Sequence, residues 1–353
     1  MSENIVSFFV NAKPVEAKGA QLDWTLTRFL RTALGLTGTK QSCDSEGTCG
    51  SCTVMINGKP KRSCLLKVSN LNGARVTTVE SFQAFQSGIP HPILQTVIQD
   101  GIFQCGYCSA GALMAAKALL DENPNPSLQT IRKALAPVVC RCSGLNRMDF
   151  SIARAAAILR GEQASTWTIE DTANEHQALE KLTGILKFTE DLTFPGMLYG
   201  ATRRSDLPHA RVIKVDTSKA EAMPGVVRVL TAKDVPGANR FGLLVRDTPI
   251  FCDEVVRYTG DCLALVVAET PDQAEAAAKA VEVALEPLPV IDTLEKALQP
   301  DAPVLHEYLR EKHPETPNVL FHQHIDKGDI EDGFRRADII IEGDYKTQFI
   351  DHA

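Results

Sequence analysis

Cys43-Asp44-Ser45-Glu46-Gly47-Thr48-Cys49-Gly50-Ser51-Cys52 decides the reading of this chain: three cysteines stand within ten residues, and Cys64 follows after one further turn. A second quartet, Cys105, Cys108, Cys140 and Cys142, repeats the device as two close pairs. Thiolates that hold one inorganic core a few ångströms across must arrive from short loops, and a cluster bound by four cysteines asks for this grouping. The spacing predicts two iron–sulfur centres with all eight cysteines as metal ligands, and hence electron transfer. Three other readings use the same residues. Scattered core thiols would not cluster twice at two-residue spacing. Disulfides belong to exported chains, and the opening residues hold no basic, apolar, small-residue leader. Zinc is the serious rival, although it favours paired C-x2-C knuckles, whereas Cys140-Arg141-Cys142 is a C-x-C pair and Cys43 stands five residues from Cys49.

Outward from that loop, Cys52-Thr53-Val54-Met55-Ile56 reads as a strand that meets Asn57-Gly58, the strongest two-residue hairpin signal, before Lys59 to Val68 returns. A two-residue turn pairs position 52 with about position 63, which sets Cys64 beside the site that Cys52 helps to form. Upstream, Ile5 to Val10 reads as a strand, Asn11 to Pro14 as a turn, and Val15 as the start of the return. Leu26, Phe29, Leu30 and Ala33 recur at helical spacing, with Asp23 expected as N-cap and Gly35 as the stop. After Ser81 four helices are expected: Pro92 to Asp100, Ser109 to Asp121, Ser127 to Ala136 and Met148 to Leu159. Cys105 and Cys108 precede one of them and Cys140 and Cys142 follow another, so both pairs lie at helix ends. Met114, Ala115 and Leu119 read as core.

Residues 161–177 are polar and unpatterned and read as a linker. Beyond them Val212 to Val215, Val226 to Leu230 and Leu263 to Val267 read as strands, with a short helix around Ser218 to Ala222. Thr270-Pro271-Asp272-Gln273 is a capping box opening an alanine-rich helix expected to run to about Ala284. The pattern is α/β. Cys252 and Cys262 lack a partner motif and read as core thiols. Ile339 to Glu342 and Tyr345 to Phe349 are expected as strands with no closing element after them, so the chain looks cut short.

A length of 353 residues with 44% apolar and 23% charged content allows two or three domains with real cores. The net charge of -7 and the lack of a basic, aromatic-interleaved run argue against nucleic acid as a partner. No apolar stretch approaches the roughly 20 residues that span a bilayer. With reduced cysteines, this places the protein in the cytoplasm.

Leu36-Thr37-Gly38-Thr39-Lys40, Cys49-Gly50-Ser51-Cys52-Thr53-Val54, Gln104-Cys105-Gly106-Tyr107-Cys108 and Cys140-Arg141-Cys142 together resemble the xanthine dehydrogenase family of molybdenum hydroxylases. Pro195-Gly196-Met197-Leu198-Tyr199-Gly200, Pro208-His209-Ala210-Arg211, Val256-Arg257-Tyr258-Thr259-Gly260-Asp261 and Glu286-Pro287-Leu288-Pro289 resemble the start of its molybdenum part. The likeness covers nearly the whole chain. It implies an α+β multidomain fold: a β-grasp, 2Fe-2S ferredoxin-like domain over 1–80, a four-helix 2Fe-2S-binding bundle over 81–160, the linker 161–177, an α/β hammerhead-type domain over 178–300, and over 301–353 the beginning of a molybdopterin-binding domain. It also implies two 2Fe-2S clusters, the helical one nearer a molybdopterin-type molybdenum cofactor, with Gln104 and Cys142 at the pterin. Most of that cofactor's binding loops and the family's glutamate base would lie beyond residue 353, so no catalytic residue is assigned and this chain alone should not turn over substrate.

The family inserts a water-derived oxygen at an electron-poor carbon of a small-molecule substrate. Only residues 161–177 stand where many eukaryotic relatives carry a flavin domain, which implies an external electron acceptor such as a separate flavoprotein or a ferredoxin-like carrier. A homodimer is among the assemblies the family adopts. The expected function is therefore the N-terminal portion of a hydroxylase acting on a purine or other N-heterocycle; the alternatives are an aldehyde oxidoreductase and a stand-alone two-cluster electron-transfer subunit. The chain departs from the family pattern at Ser42, where glycine is usual, in the extra residue between Cys43 and Cys49, and at Val138 and Leu145, where asparagine and tyrosine are usual.

Overall fold

The computed structural model describes residues 4–85, 88–243 and 245–347. The chain divides into two units, the first reaching Leu192 and the second starting at Thr193.

The first unit opens with the expected hairpin, β1 (Ile5–Val10) against β2 (Lys13–Lys18). A second hairpin pairs β3 (Thr53–Ile56) with β4 (Lys59–Arg62). Between the hairpins runs β5 (Arg75–Thr77), parallel to β1 and antiparallel to β3, so the strand order is β2-β1-β5-β3-β4. Asn57 and Gly58, at φ 51° and 80°, supply the left-handed pair that a tight hairpin turn of this twist requires. The register puts Thr53 opposite Arg62, and the Ser63 N–H donates to the Cys52 carbonyl at 3.2 Å, as the sequence spacing predicts.

The helical turn α1 (Leu26–Arg28) continues as a π-helical turn, Phe29–Ala33, and lays Leu26, Phe29 and Leu30 on Phe8, Val54 and Val76. Those three are at most 1% exposed, and burying each contributes on the order of 2 kcal/mol. Its cap is Thr25, whose hydroxyl accepts from the Arg28 N–H at 3.2 Å, and not Asp23. Asp23 instead closes a preceding 3-10 turn, Gly19–Asp23, two residues too early to reach a free N–H of this helix. Gly35, at φ 66°, ends the helix as expected.

The helical half follows the expected bounds within a residue: α2 (Pro92–Gln99), α3 (Ser109–Glu122), α4 (Leu128–Leu135) and α5 (Met148–Leu159). Ile93, Leu94, Leu113, Met114, Ile131, Met148 and Ile152 fill one core. Residues 161–177, expected as a linker, hold more structure than their polarity suggests. Thr168 and Asp171 form a reciprocal capping box that starts α6 (Ile169–Asn174), α7 (His176–Leu182) follows, and Trp167, Leu179 and Leu182 are buried in the helical core. The Thr168-x-x-Asp171 spacing is itself a helix-start signal.

In the second unit β6 (Tyr199–Arg204) and β7 (Ala210–Asp216) precede α8 (Ser218–Glu221) and β8 (Val226–Leu230). The pair β9 (Arg240–Phe241) and β10 (Thr248–Pro249), then β11 (Val255–Val256), β12 (Cys262–Ala268), α9 (Pro271–Ala280) and β13 (Glu282–Pro287) complete it. Two three-stranded sheets result, β6-β12-β8 and β11-β7-β13. Strands and helices alternate as expected, and every pairing in these sheets is antiparallel. The helix α9 leads from β12 in one sheet to β13 in the other, so no parallel crossover forms. That helix also stops at Ala280 and not near Ala284, since Val283 and Ala284 pair with Val215 and Lys214 and the ladder outcompetes helix propensity. Cys252 is buried among Ala210, Val256 and Leu263, as a core thiol should be.

Past β13 the described chain holds the short helices α10 (Leu294–Ala297), α11 (Glu307–Lys312) and α12 (Ile330–Arg336). Ile339–Glu342 forms no strand, nor do 345–347, while 348 and 349 lie outside the described residues. Ile341 is 85% exposed and Tyr345 91%: among the described residues neither run has a sheet edge to pair with, and an isolated hairpin is marginal in water.

Candidate metal centres

The first loop curls because four of its residues take left-handed backbone: Asp44, Ser45, Gly47 and Gly50, at φ 47°, 69°, 72° and 72°. Asp44 and Ser45 turn the chain back on itself, and the Glu46 N–H closes on the Cys43 carbonyl at 2.9 Å. Cys49 is 8% exposed, Cys52 0% and Cys64 3%, while Cys43 is half-buried. The hairpin brings the Cys52 and Cys64 Sγ atoms to 3.2 Å. Cys43 is drawn down to about 6, chiefly because the Cys49 backbone N–H faces its sulfur. Burial and then Cys52 push Cys64 up to about 12.

The second quartet sits at helix ends. Cys108 immediately precedes α3 and is buried; Cys105 and Cys142 are exposed, with Sγ atoms 3.4 Å apart. Burial, then Cys140, raises Cys108. Burial also pulls on Cys140, but the Ser143 hydroxyl and the Ser143 and Leu145 amides outweigh it and bring that thiol down to about 7. The Ser143 hydroxyl lies 3.4 Å from the Cys140 sulfur.

Among the described residues no three histidine, cysteine or acidic side chains converge as single-ion ligands. The thiols meet as pairs: Cys52 with Cys64, Cys43 with Cys49, Cys105 with Cys142, and Cys108 with Cys140. The 3.2 and 3.4 Å separations are somewhat shorter than the about 3.7 Å expected of two thiolates on one tetrahedral metal with bonds of about 2.3 Å, so each pair is close enough to share one metal. A two-iron core takes two thiolates on each iron, whereas structural zinc needs all four at one point. Both quartets therefore fit a 2Fe-2S core better than zinc.

The two loops also touch. The Val139 N–H, next to Cys140, donates to the Cys49 carbonyl at 2.8 Å. Arg62 donates to the Gly47 carbonyl and, at 3.3 Å, to that of Pro137. Gly50 is squeezed so that a Cβ there would meet the Pro137 oxygen at 2.3 Å. Tyr107, between Cys105 and Cys108, places its hydroxyl 2.7 Å from the Gln41 carbonyl, two residues before Cys43. Arg62, Ser143 and Tyr107 escaped the sequence reading. Arg62 sits in a Lys-Pro-Lys-Arg run that looks like a solvated edge strand, and a lone serine or tyrosine beside a cysteine carries no periodic signal. Gln104 is exposed on the rim beside Cys105, and its backbone carbonyl accepts from Lys181 Nζ at 3.1 Å.

Comparison with known proteins finds three family matches along the chain. Residues 36–88 match a 2Fe-2S iron-sulfur cluster binding domain, residues 78–153 a 2Fe-2S binding domain, and residues 183–289 the aldehyde oxidase and xanthine dehydrogenase a/b hammerhead domain. Aldehyde oxidoreductase of Megalodesulfovibrio gigas is 37% identical over 348 residues, which is 91% of this chain but 37% of that protein. A nicotinate dehydrogenase subunit of Pseudomonas putida is 39% identical over 158 residues, 45% of this chain and 98% of that polypeptide. The crystal structure of the aldehyde oxidoreductase from Desulfovibrio desulfuricans superposes with a TM-score of 0.79 at 35% identity, covering 95% of this chain and 38% of that one. The chain thus spans a little over a third of the length of the aldehyde oxidoreductases it matches.

Proposed function

The chain belongs to the xanthine dehydrogenase and aldehyde oxidoreductase family of molybdenum hydroxylases, and from that premise we propose that it is the electron-carrying N-terminal part of such an enzyme. It carries two 2Fe-2S domains, and the family uses a molybdopterin-type molybdenum cofactor. The observation that carries the reading is the pairing of eight thiols into two quartets whose loops touch through Val139 and Cys49. Clusters in these positions would supply reversible one-electron storage. The chain's own part is to hold each core by Cys43, Cys49, Cys52 and Cys64, and by Cys105, Cys108, Cys140 and Cys142. It also shields Cys52 and Cys108 from water and aims N–H and hydroxyl groups at Cys43 and Cys140. Gln104 and Cys142, exposed beside Cys105, would face the pterin. The finer fold assignment, a β-grasp first domain, a four-helix second domain and a molybdopterin-binding domain beginning near residue 301, belongs to the same reading.

The whole protein would hydroxylate a small molecule. An aldehyde is favoured by the relatives that match this chain across nine tenths of its length in one piece. A purine or other N-heterocycle, which the sequence reading put first, is supported by 47% identity over 166 residues with a probable xanthine dehydrogenase subunit of Bacillus subtilis. Because little more than α6 and α7 separates the helical half from the second unit, we assign electron delivery to an external flavoprotein or ferredoxin-like carrier. Among the described residues no helix is long and apolar enough to cross a membrane.

The test is iron and zinc content with a visible spectrum of the anaerobically purified chain. A red-brown protein with about four irons that bleaches with dithionite supports the proposal; a colourless, zinc-loaded protein refutes it. Turnover of benzaldehyde against xanthine by the full-length enzyme then separates the two substrate classes.

A further inference from the structure

Residues 188–191 belong to neither thiol quartet, yet they touch the loops of both. The Asp191 carboxylate has no exposed surface and pairs with Lys40, itself 3% exposed, and at 2.6 Å with Arg31. Arg31 also donates to the Thr37 and Thr39 carbonyls, each at 3.0 Å, so the approach to Cys43 is held by three elements at once. The Lys40 ammonium lies 4.4 Å over the Phe188 ring, and the Tyr107 ring meets the same Phe188 edge-on at 5.7 Å. The Tyr107 hydroxyl lies 2.7 Å from the Gln41 carbonyl and 3.0 and 3.1 Å from the two Glu190 carboxylate oxygens. A phenol has one proton to give, and the Gln41 carbonyl is the nearest acceptor.

We infer that Tyr107 is a positioning residue: its hydroxyl bond to the Gln41 carbonyl, backed by the 188–191 strap, fixes the loop of the helical quartet against the loop of the first. The inference rests on the two-cluster reading. Ring packing on Phe188 would persist without the oxygen, so the hydroxyl adds orientation of the Gln41 peptide and not bulk. Spin–spin coupling between two paramagnetic centres depends steeply on their separation and angle, which makes that orientation measurable.

The experiment compares the full chain, loaded and dithionite-reduced, with Tyr107→Phe by electron paramagnetic resonance, iron content and amide exchange. Tyr107→Phe should keep the wild-type iron content, change the splitting that reports coupling, and raise exchange of the amides of residues 40–45 about fivefold, the factor for one lost hydrogen bond. Glu190 also faces Arg31 at 3.4 Å, and Glu190→Gln keeps an amide oxygen for Arg31 while leaving the Tyr107–Gln41 bond in place, so it should leave both readouts as in wild type. Identical splitting and exchange in Tyr107→Phe overturns the inference alone, as does a Glu190→Gln protein that behaves like Tyr107→Phe. A wild-type chain without iron overturns the proposed function, and this inference with it.

Discussion

Gly111→Ala sets two physical effects against each other. Gly111 lies inside α3 with ordinary helical backbone, so helix propensity alone favours alanine by about 1 kcal/mol. The added Cβ would stand 2.2 Å from the Gly50 oxygen and 3.1 Å from the Ser51 Cα, which asks for roughly 1 Å of retreat. The Gly50 backbone has nowhere to go. Pro137 crowds it from behind, the Thr53 hydroxyl and N–H hold its carbonyl at 2.7 and 3.1 Å, and Val139 holds the neighbouring Cys49 carbonyl at 2.8 Å. Overpacking of this kind costs about 1–3 kcal/mol, and the strained hydrogen bonds to Gly50 cost about another 1. The steric side wins, and the variant should be about 2 kcal/mol less stable than wild type in urea denaturation. Because the displaced loop carries Cys49 and Cys52, the same variant should also retain less iron. A Gly111→Ala protein at least as stable as wild type and fully loaded would refute the close approach of α3 to this loop.

Burial holds His91 at about 4 against a usual 6.5, with the Lys117 charge adding to the effect. The unfolded chain accepts a proton that the folded one refuses, so stability is complete above pH 6.5 and falls as the pH drops towards 4, by about 3 kcal/mol. Denaturation midpoints of wild type and His91→Asn, which keeps a side-chain acceptor for the Ile93 N–H, should diverge across that window, and parallel curves would refute the assignment. Cys64→Ser should lower iron from about four per chain towards about two, leaving the helical-domain signal in the reduced spectrum. Cys252→Ser, in an apolar setting that pushes the thiol up to about 12, should leave iron unchanged; equal losses in the two variants would remove the distinction between ligand and core thiol.

What was legible in the sequence is what repeats or punctuates. Asn57-Gly58 fixed a register that seats Cys64 beside Cys52, and the helices between Pro92 and Leu159 lie within a residue of the bounds their punctuation marks. What was not legible depends on partners distant in sequence. Val283 and Ala284 belong to an alanine-rich run that favours helix until β7 offers a ladder. Asp191, an ordinary acidic residue by local pattern, becomes a buried anion only because Lys40 and Arg31 converge on it from about 150 residues upstream. Ile339 to Glu342 holds a run of three isoleucines with high strand propensity, but propensity makes a strand only where an edge is at hand.

The two centres differ in which thiols they show to solvent, and the difference follows from the packing between the two halves of the first unit. The contact is made by the ligand loops themselves: Gly50 lies between Gly111 and Pro137, and the Cys49 carbonyl accepts from the residue before Cys140. Cys49 and Cys140 are therefore the members of their quartets tied to this seam. The first quartet then leaves Cys43 as its most accessible thiol, on a loop that turns through two left-handed residues, Asp44 and Ser45, and the second leaves Cys105 and Cys142, flanked by Gln104. On the proposed reading each centre has one side at the seam and one at the surface. The surface side of the helical centre is where Gln104 and Cys142 would have to lie to meet a cofactor. On the same reading the Cys43 loop would bear on exchange with an external carrier, because it forms the rim of the other exposed side.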